Sequence, residues 1–70
     1  MELTAVLTPA PEGGFVALNP ETGSSSQGET VEEAVANLQE ATALFLEEFP
    51  QLAPASGRAV VTTFALPEHA

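Results

Sequence analysis

Ten glutamates, one histidine and a run of three serines are the side chains of this 70-residue chain most able to do chemistry. Glutamates can hold paired metal ions for phosphodiester hydrolysis, but that reaction needs carboxylates converging from neighbouring strands. Among the segments that read as strands, one acid occurs, Glu2 at the edge of the first; the others fall in turns, on a helix or in the tail. His69 could serve as a general base or metal ligand, yet it stands one residue from the C-terminus, where a fixed position is not expected. Ser24, Ser25 and Ser26 have no histidine or lysine nearby to activate a hydroxyl. Gly28 reads as a turn glycine, because a phosphate loop needs further glycines and a lysine, and the chain has no lysine. No catalytic residue, metal site or cofactor is expected.

A different pattern does stand out. Glu33, Glu40 and Glu47 recur every seven residues and would line one face of a helix, opposite its apolar stripe, with Leu44 beside them. Such a line is either a solvated face or an acidic ridge that meets a basic partner, so Glu33, Glu40, Leu44 and Glu47 are the candidate partner-binding residues. A solvated face is the commoner of the two, and Leu44 beside the line speaks for the second. A single Arg58 faces the ten acids, giving a formal net charge of −9. That field repels phosphate backbones, so direct nucleic-acid binding is not expected, whereas a cationic protein is its natural complement.

The remaining composition sets bounds. Seventy residues suffice for one domain, here residues 1–70, which buries only about 60% of its unfolded surface and so gains from association. With no cysteine, neither disulfides nor thiolate metal sites can reinforce it. No apolar run reaches the roughly 20 residues that span a bilayer, and Met1-Glu2-Leu3-Thr4 lacks the positive start of a signal peptide. A cytoplasmic protein with no membrane partner is expected. The absence of Lys, Ile and Tyr beside abundant Ala, Gly and Pro is consistent with a GC-rich bacterial genome.

The elements that must position the ridge follow from periodicity. Glu2–Thr8 alternates as a strand, Pro9–Gly14 is a turn, and Phe15–Leu18 closes the hairpin. Asn19-Pro20-Glu21-Thr22-Gly23 is a second turn cluster, followed by a short polar strand over Ser24–Gln27. Thr30 and Glu33 have capping-box spacing: the Thr30 oxygen can accept the Glu33 amide, and the Glu33 side chain can return to the Thr30 amide. A helix is predicted from Val31 to about Phe49, burying Val31, Ala34, Val35, Leu38, Ala41, Phe45 and Phe49, and stopped by Pro50. Ala59–Leu66, apolar on both alternating faces, is predicted as a fourth strand ended by Pro67. The order β-β-β-α-β is an α+β arrangement in which a right-handed crossover leaves the last strand parallel to one of the meander strands, and it is placed here beside the first. The strand order becomes 3-2-1-4, a truncated ribonuclease-H-like sheet with one helix on one face. The other face is either open to water, as antiparallel sheets often are, or covered by another chain; the doubly apolar last strand favours the second, hence a homodimer or higher homo-oligomer.

Gly13-Gly14-Phe15-Val16-Ala17, followed by Ser26-Gln27-Gly28-Glu29-Thr30 and an acidic, alanine-rich helix, resembles the N-terminal domain of the HicB-like antitoxins. The likeness runs from about Glu2 to Phe64. Pro20-Glu21-Thr22-Gly23 is one residue shorter than the corresponding family turn, and Ser24 stands where cysteine is common. The resemblance implies the ribonuclease-H-like fold without its catalysis. It also implies a small basic mRNA-cleaving partner, the HicA-type toxin, whose active site the antitoxin blocks. Family members usually add a C-terminal DNA-binding segment; the sequence stops at Ala70, so direct operon repression is not expected. The alternative is an orphan oligomeric HicB-like domain with another regulatory partner.

Overall fold

The computed structural model describes residues 1–54 and 57–68; His69 lies outside the described residues. Three strands, β1 (Val6–Pro9), β2 (Phe15–Leu18) and β3 (Ser25–Gly28), form an antiparallel meander in the order β1-β2-β3. The helix α1 (Val31–Glu48) follows and gives way to a short 3₁₀ turn at Pro50–Leu52. The architecture is α+β, with one helix on one face of the sheet.

The register decides which side chains meet. Leu7 is opposite Ala17, Ala17 is opposite Ser26, and Phe15 is opposite Gly28, so these residues share one face. On that face Ala17, Ala34 and Leu38 form the buried core, with Leu7 and Phe15 packed against it. The helix rests mainly on β3 and less on β2. Gly28 permits this close seating: a Cβ there would lie 2.5 Å from the Ala34 amide nitrogen and 2.8 Å from the Glu33 carbonyl carbon. On the opposite face Val16 and Leu18 are partly open to solvent.

β1 begins four residues later than predicted. Continuing its register toward the N-terminus would set Thr4 opposite Pro20, which has no amide hydrogen to donate. Side chains take over there. The Thr4 amide donates to Glu21 Oε1 at 2.9 Å, and Asn19 Nδ2 donates to the Thr4 carbonyl at 2.8 Å. The N-terminal segment is thus fixed without a ladder.

The helix starts where predicted and ends one residue early, with Phe49 as its C-cap donating to the Phe45 carbonyl at 2.8 Å. Its buried face is rotated from the predicted stripe. Ala34, Leu38 and Thr42 are buried, whereas Val31, Val35 and Phe49 are each more than a third exposed. Ala41 and Phe45 are half-buried. The polar label of Thr42 hid its place on the core side, and Val35 lies at the margin of the contact with the sheet.

The largest difference concerns the predicted fourth strand. Ala59–Leu66 pairs with nothing among the described residues, and the sheet has three strands, so the 3-2-1-4 order is not formed within the chain. The chain runs from Gly57 to Glu68 without a turn or bend, with Val60, Phe64 and Leu66 exposed. With this arm the radius of gyration is 14.2 Å and the long dimension 49 Å; a compact domain of this length has a radius of about 11 Å. Strand propensity records a fit to a half-buried pleated surface and says nothing about where the neighbouring strand comes from.

Candidate functional site

The outward face of α1 carries the residues singled out in the sequence. Glu33, Glu40, Leu44 and Glu47 are all exposed, Leu44 to 60%. Four- and three-residue steps put Glu40, Leu44 and Glu47 on adjacent turns, an apolar side chain flanked by two acids. Glu33 stands about 10 Å further toward the N-terminus at helical rise, and its carboxylate is already engaged. The Glu33 amide donates to Thr30 Oγ1 at 3.1 Å, as the cap predicts. Its side chain, however, accepts the Glu29 amide at 2.6 Å rather than that of Thr30. The cap reaches one residue further back than the usual box, and Glu33 belongs to it rather than to the outward patch.

Electrostatics differ at the two ends of the helix. Glu32 and Glu33 lie in the first turn, where the helix dipole favours acids. Glu47 and Glu48 lie in the last turn, where it disfavours them, and no basic residue is present there to compensate. The Glu40–Leu44–Glu47 patch runs from the middle of the helix to this last turn, and at Glu47 a cation from outside would gain most.

A second region has only the signature of a turn in the sequence. Asn19, 1% exposed, has all its side-chain donors and acceptors used around β1 and the β2–β3 connection. Its Nδ2 donates to the Thr4 carbonyl and to Glu21 Oε1 at 2.6 Å, while its Oδ1 accepts the Thr22 amide at 3.0 Å and the Thr22 hydroxyl. Glu21 Oε2 accepts the Thr4 hydroxyl at 2.6 Å and the Ala59 amide. These bonds, with that from the Thr4 hydroxyl foremost and those from the Ala59 and Thr4 amides next, lower the Glu21 pKa to about 2 despite some desolvation. Arg58 lies 3.4 Å from Glu2, an exposed pair worth at most about 1 kcal/mol that marks where the arm passes the N-terminal segment. The signals that could have revealed this hub are the Asn-Pro step, since asparagine readily bonds nearby backbone, and the proline opposite Thr4.

Between the N-terminal segment and α1 lies a groove of about 440 Å³, lined by Leu3, Ala5, Val35, Leu38, Thr42 and Leu46 among others. The buried Thr42 hydroxyl in its wall has no hydrogen-bond partner among the described residues. No group of three or more acidic or histidine side chains that could hold a metal ion occurs among the described residues, and no helix there is long and apolar enough to cross a membrane. Ser24 lies in the turn, its Oγ 2.8 Å from the Thr22 hydroxyl.

No family profile and no solved structure matches the chain. Among curated proteins, UPF0150 protein ssl0738 of Synechocystis sp. is 44% identical over 48 residues, a stretch covering 67% of this chain and 67% of that protein. At that identity and mutual coverage, the chain belongs to the UPF0150 family.

Proposed function

We propose that this chain is a non-enzymatic protein-binding module of HicB-like antitoxin type, which neutralises a small basic mRNA-cleaving toxin in the cytoplasm. The observation that carries this reading is the Glu40–Leu44–Glu47 patch: an exposed leucine between acids, reaching at Glu47 the helix end where acids are least favourable, in a chain of net charge −9. A cationic surface would relieve the Glu47 and Glu48 charges while Leu44 gave the contact an apolar anchor. The Gly-Gly-Phe-Val-Ala hairpin and the capped, acidic helix supply the likeness to antitoxins. Glu33 contributes to the field near this face, though its carboxylate serves the cap.

The test pairs the protein with the basic protein encoded beside it. The complex should form, and the Glu40→Gln/Glu47→Gln variant should associate several-fold more slowly at low salt, with the difference shrinking as salt rises. The purified chain should leave RNA intact with Mg²⁺ or Mn²⁺ present. Metal-dependent RNA cleavage that follows the pure protein would refute the non-enzymatic reading. Absence of any basic partner in the genomic neighbourhood and in pull-downs would favour an orphan oligomeric HicB-like domain, a reading that the unpaired apolar arm also supports.

A further inference from the structure

The arm has the composition of a strand and the setting of a tail. Val60, Phe64 and Leu66 are 90%, 83% and 79% exposed, and Val61 is 59% exposed. A contiguous apolar surface of this kind on a 70-residue chain is a strong mark of an interaction site. The arm's ties to its own domain lie at its base, where Ala59 meets Glu21 and Thr4 and Arg58 meets Glu2. Beyond Ala59, the described hydrogen bonding of the arm is the local contact of the Thr62 hydroxyl with the Thr63 carbonyl.

The domain itself presents the matching vacancy. β1 pairs with β2 along one edge, and among the described residues no strand pairs with its other edge. An open edge is a template for another strand. Just before β1, between residues 1–5 and α1, lies the apolar groove walled by Leu3, Ala5, Val35, Leu38 and Leu46, with the unpartnered Thr42 hydroxyl at its side. One chain thus holds both an unpaired strand and an unfilled strand site.

We infer that two copies of this chain exchange arms. Residues 60–66 of each copy add to the open edge of β1 in the other and lay Val60, Phe64 and Leu66 over the groove beside α1, while Ala59 stays tied to its own domain. The occupant is a second copy because the arm supplies the alternating apolar side chains and backbone donors that the edge and groove lack. Pro67, with no amide hydrogen, ends the added strand. The contact is reciprocal, so a closed two-fold dimer satisfies both arms and leaves neither edge open to further addition. Each half of the dimer then has the 3-2-1-4 order, completed by the other chain. The outward face of α1 takes no part, so the exchange stands or falls independently of what that face binds.

The chain has no cysteine, which allows thiols to be placed at will. The full chain should run in light scattering at micromolar concentration with twice the 7.2 kDa mass of one copy. Ala5→Cys and Thr63→Cys chains, refolded together and treated with a short bis-maleimide, should give a covalent heterodimer. A double Ala5→Cys/Thr63→Cys chain that links only within itself would show the arm folding back on its own domain and overturn the exchange. Thr63→Cys alone linking to itself as readily as to Ala5→Cys would show arm-to-arm pairing, which also overturns it. The Val60→Ser/Phe64→Ser variant should be monomeric with its helical circular dichroism retained. A dimer that survives this double substitution would remove the arm from the interface.

Discussion

The Glu21 carboxylate binds Thr4 twice, once through its amide at 2.9 Å and once through its hydroxyl at 2.6 Å, across 17 residues of chain. Through the same carboxylate the arm is held at the Ala59 amide. One acid therefore joins the N-terminal segment, the β2–β3 turn and the base of the arm.

This hub makes stability depend on pH in a defined window. The Glu21 pKa is lowered from an ordinary 4.5 to about 2 in the folded chain. Its contribution is complete above the unfolded value and is lost as pH falls through the folded one. Urea midpoints should fall between about pH 4.5 and pH 2. Glu21→Gln should lower the midpoint at pH 7 and flatten this part of the profile; an unaltered slope would show that the other glutamates set it.

Removing the Thr30 hydroxyl should weaken the helix start. Thr30→Ala loses the bond from the Glu33 amide and should cost on the order of 1 kcal/mol. Thr30→Ser should recover most of it. Equal midpoints for the alanine and parent chains in urea would mean that the helix is held by packing alone.

A methyl group at Gly28 should act as a wedge between β3 and α1. Gly28→Ala must displace helix backbone and should cost about 1–3 kcal/mol, the usual penalty for overpacking. Gly23→Ala tests a different effect. A Cβ there meets nothing within 4 Å, so any loss comes from its φ of 83°. Chemical denaturation of the two variants separates crowding from backbone strain.

Leu38→Ala should destabilise by about 2–5 kcal/mol because Leu38 is buried between the helix and the sheet. Phe45→Ala should cost less, since Phe45 is half-buried and meets Phe49 in a tilted ring pair at a centroid distance of 5.2 Å. The reverse order in denaturation midpoints would move the core toward the C-terminal half of the helix.

Local signals in the sequence carried much of this fold. The β2 bounds, the Thr30 cap and the Pro50 stop were legible because each depends on neighbours a few residues away. The start of β1 was not, because it depends on Pro20 facing Thr4 across the sheet, a matter of register. The roles of Asn19 and Glu21 were hidden for the same reason: their partner lies 15 and 17 residues away. Thr42 was omitted from the buried stripe because its hydroxyl marks it as polar. Ala59–Leu66 was recognised as strand-like, but its alternation cannot state whether the pairing edge belongs to the same chain. The exposure of Glu40, Leu44 and Glu47 followed from helical spacing, whereas the engagement of Glu33 depended on how far its side chain turns back.

Because α1 rests mainly on β3 and β2, with Leu7 of β1 added at the margin of the core, residues 15–48 hold most of the helix–sheet packing within one stretch of chain. Contacts of lower sequence separation close with less loop entropy, and the well-packed elements of a domain are the last to open. Amide hydrogen exchange should accordingly grade along the molecule. Protection should be greatest from Ala34 to Leu38 and across β2, weaker in β1, and least along the arm beyond Ala59. The N-terminal strand would then come and go on the side of a structured hairpin-and-helix unit, giving the molecule a persistent half and a breathing half.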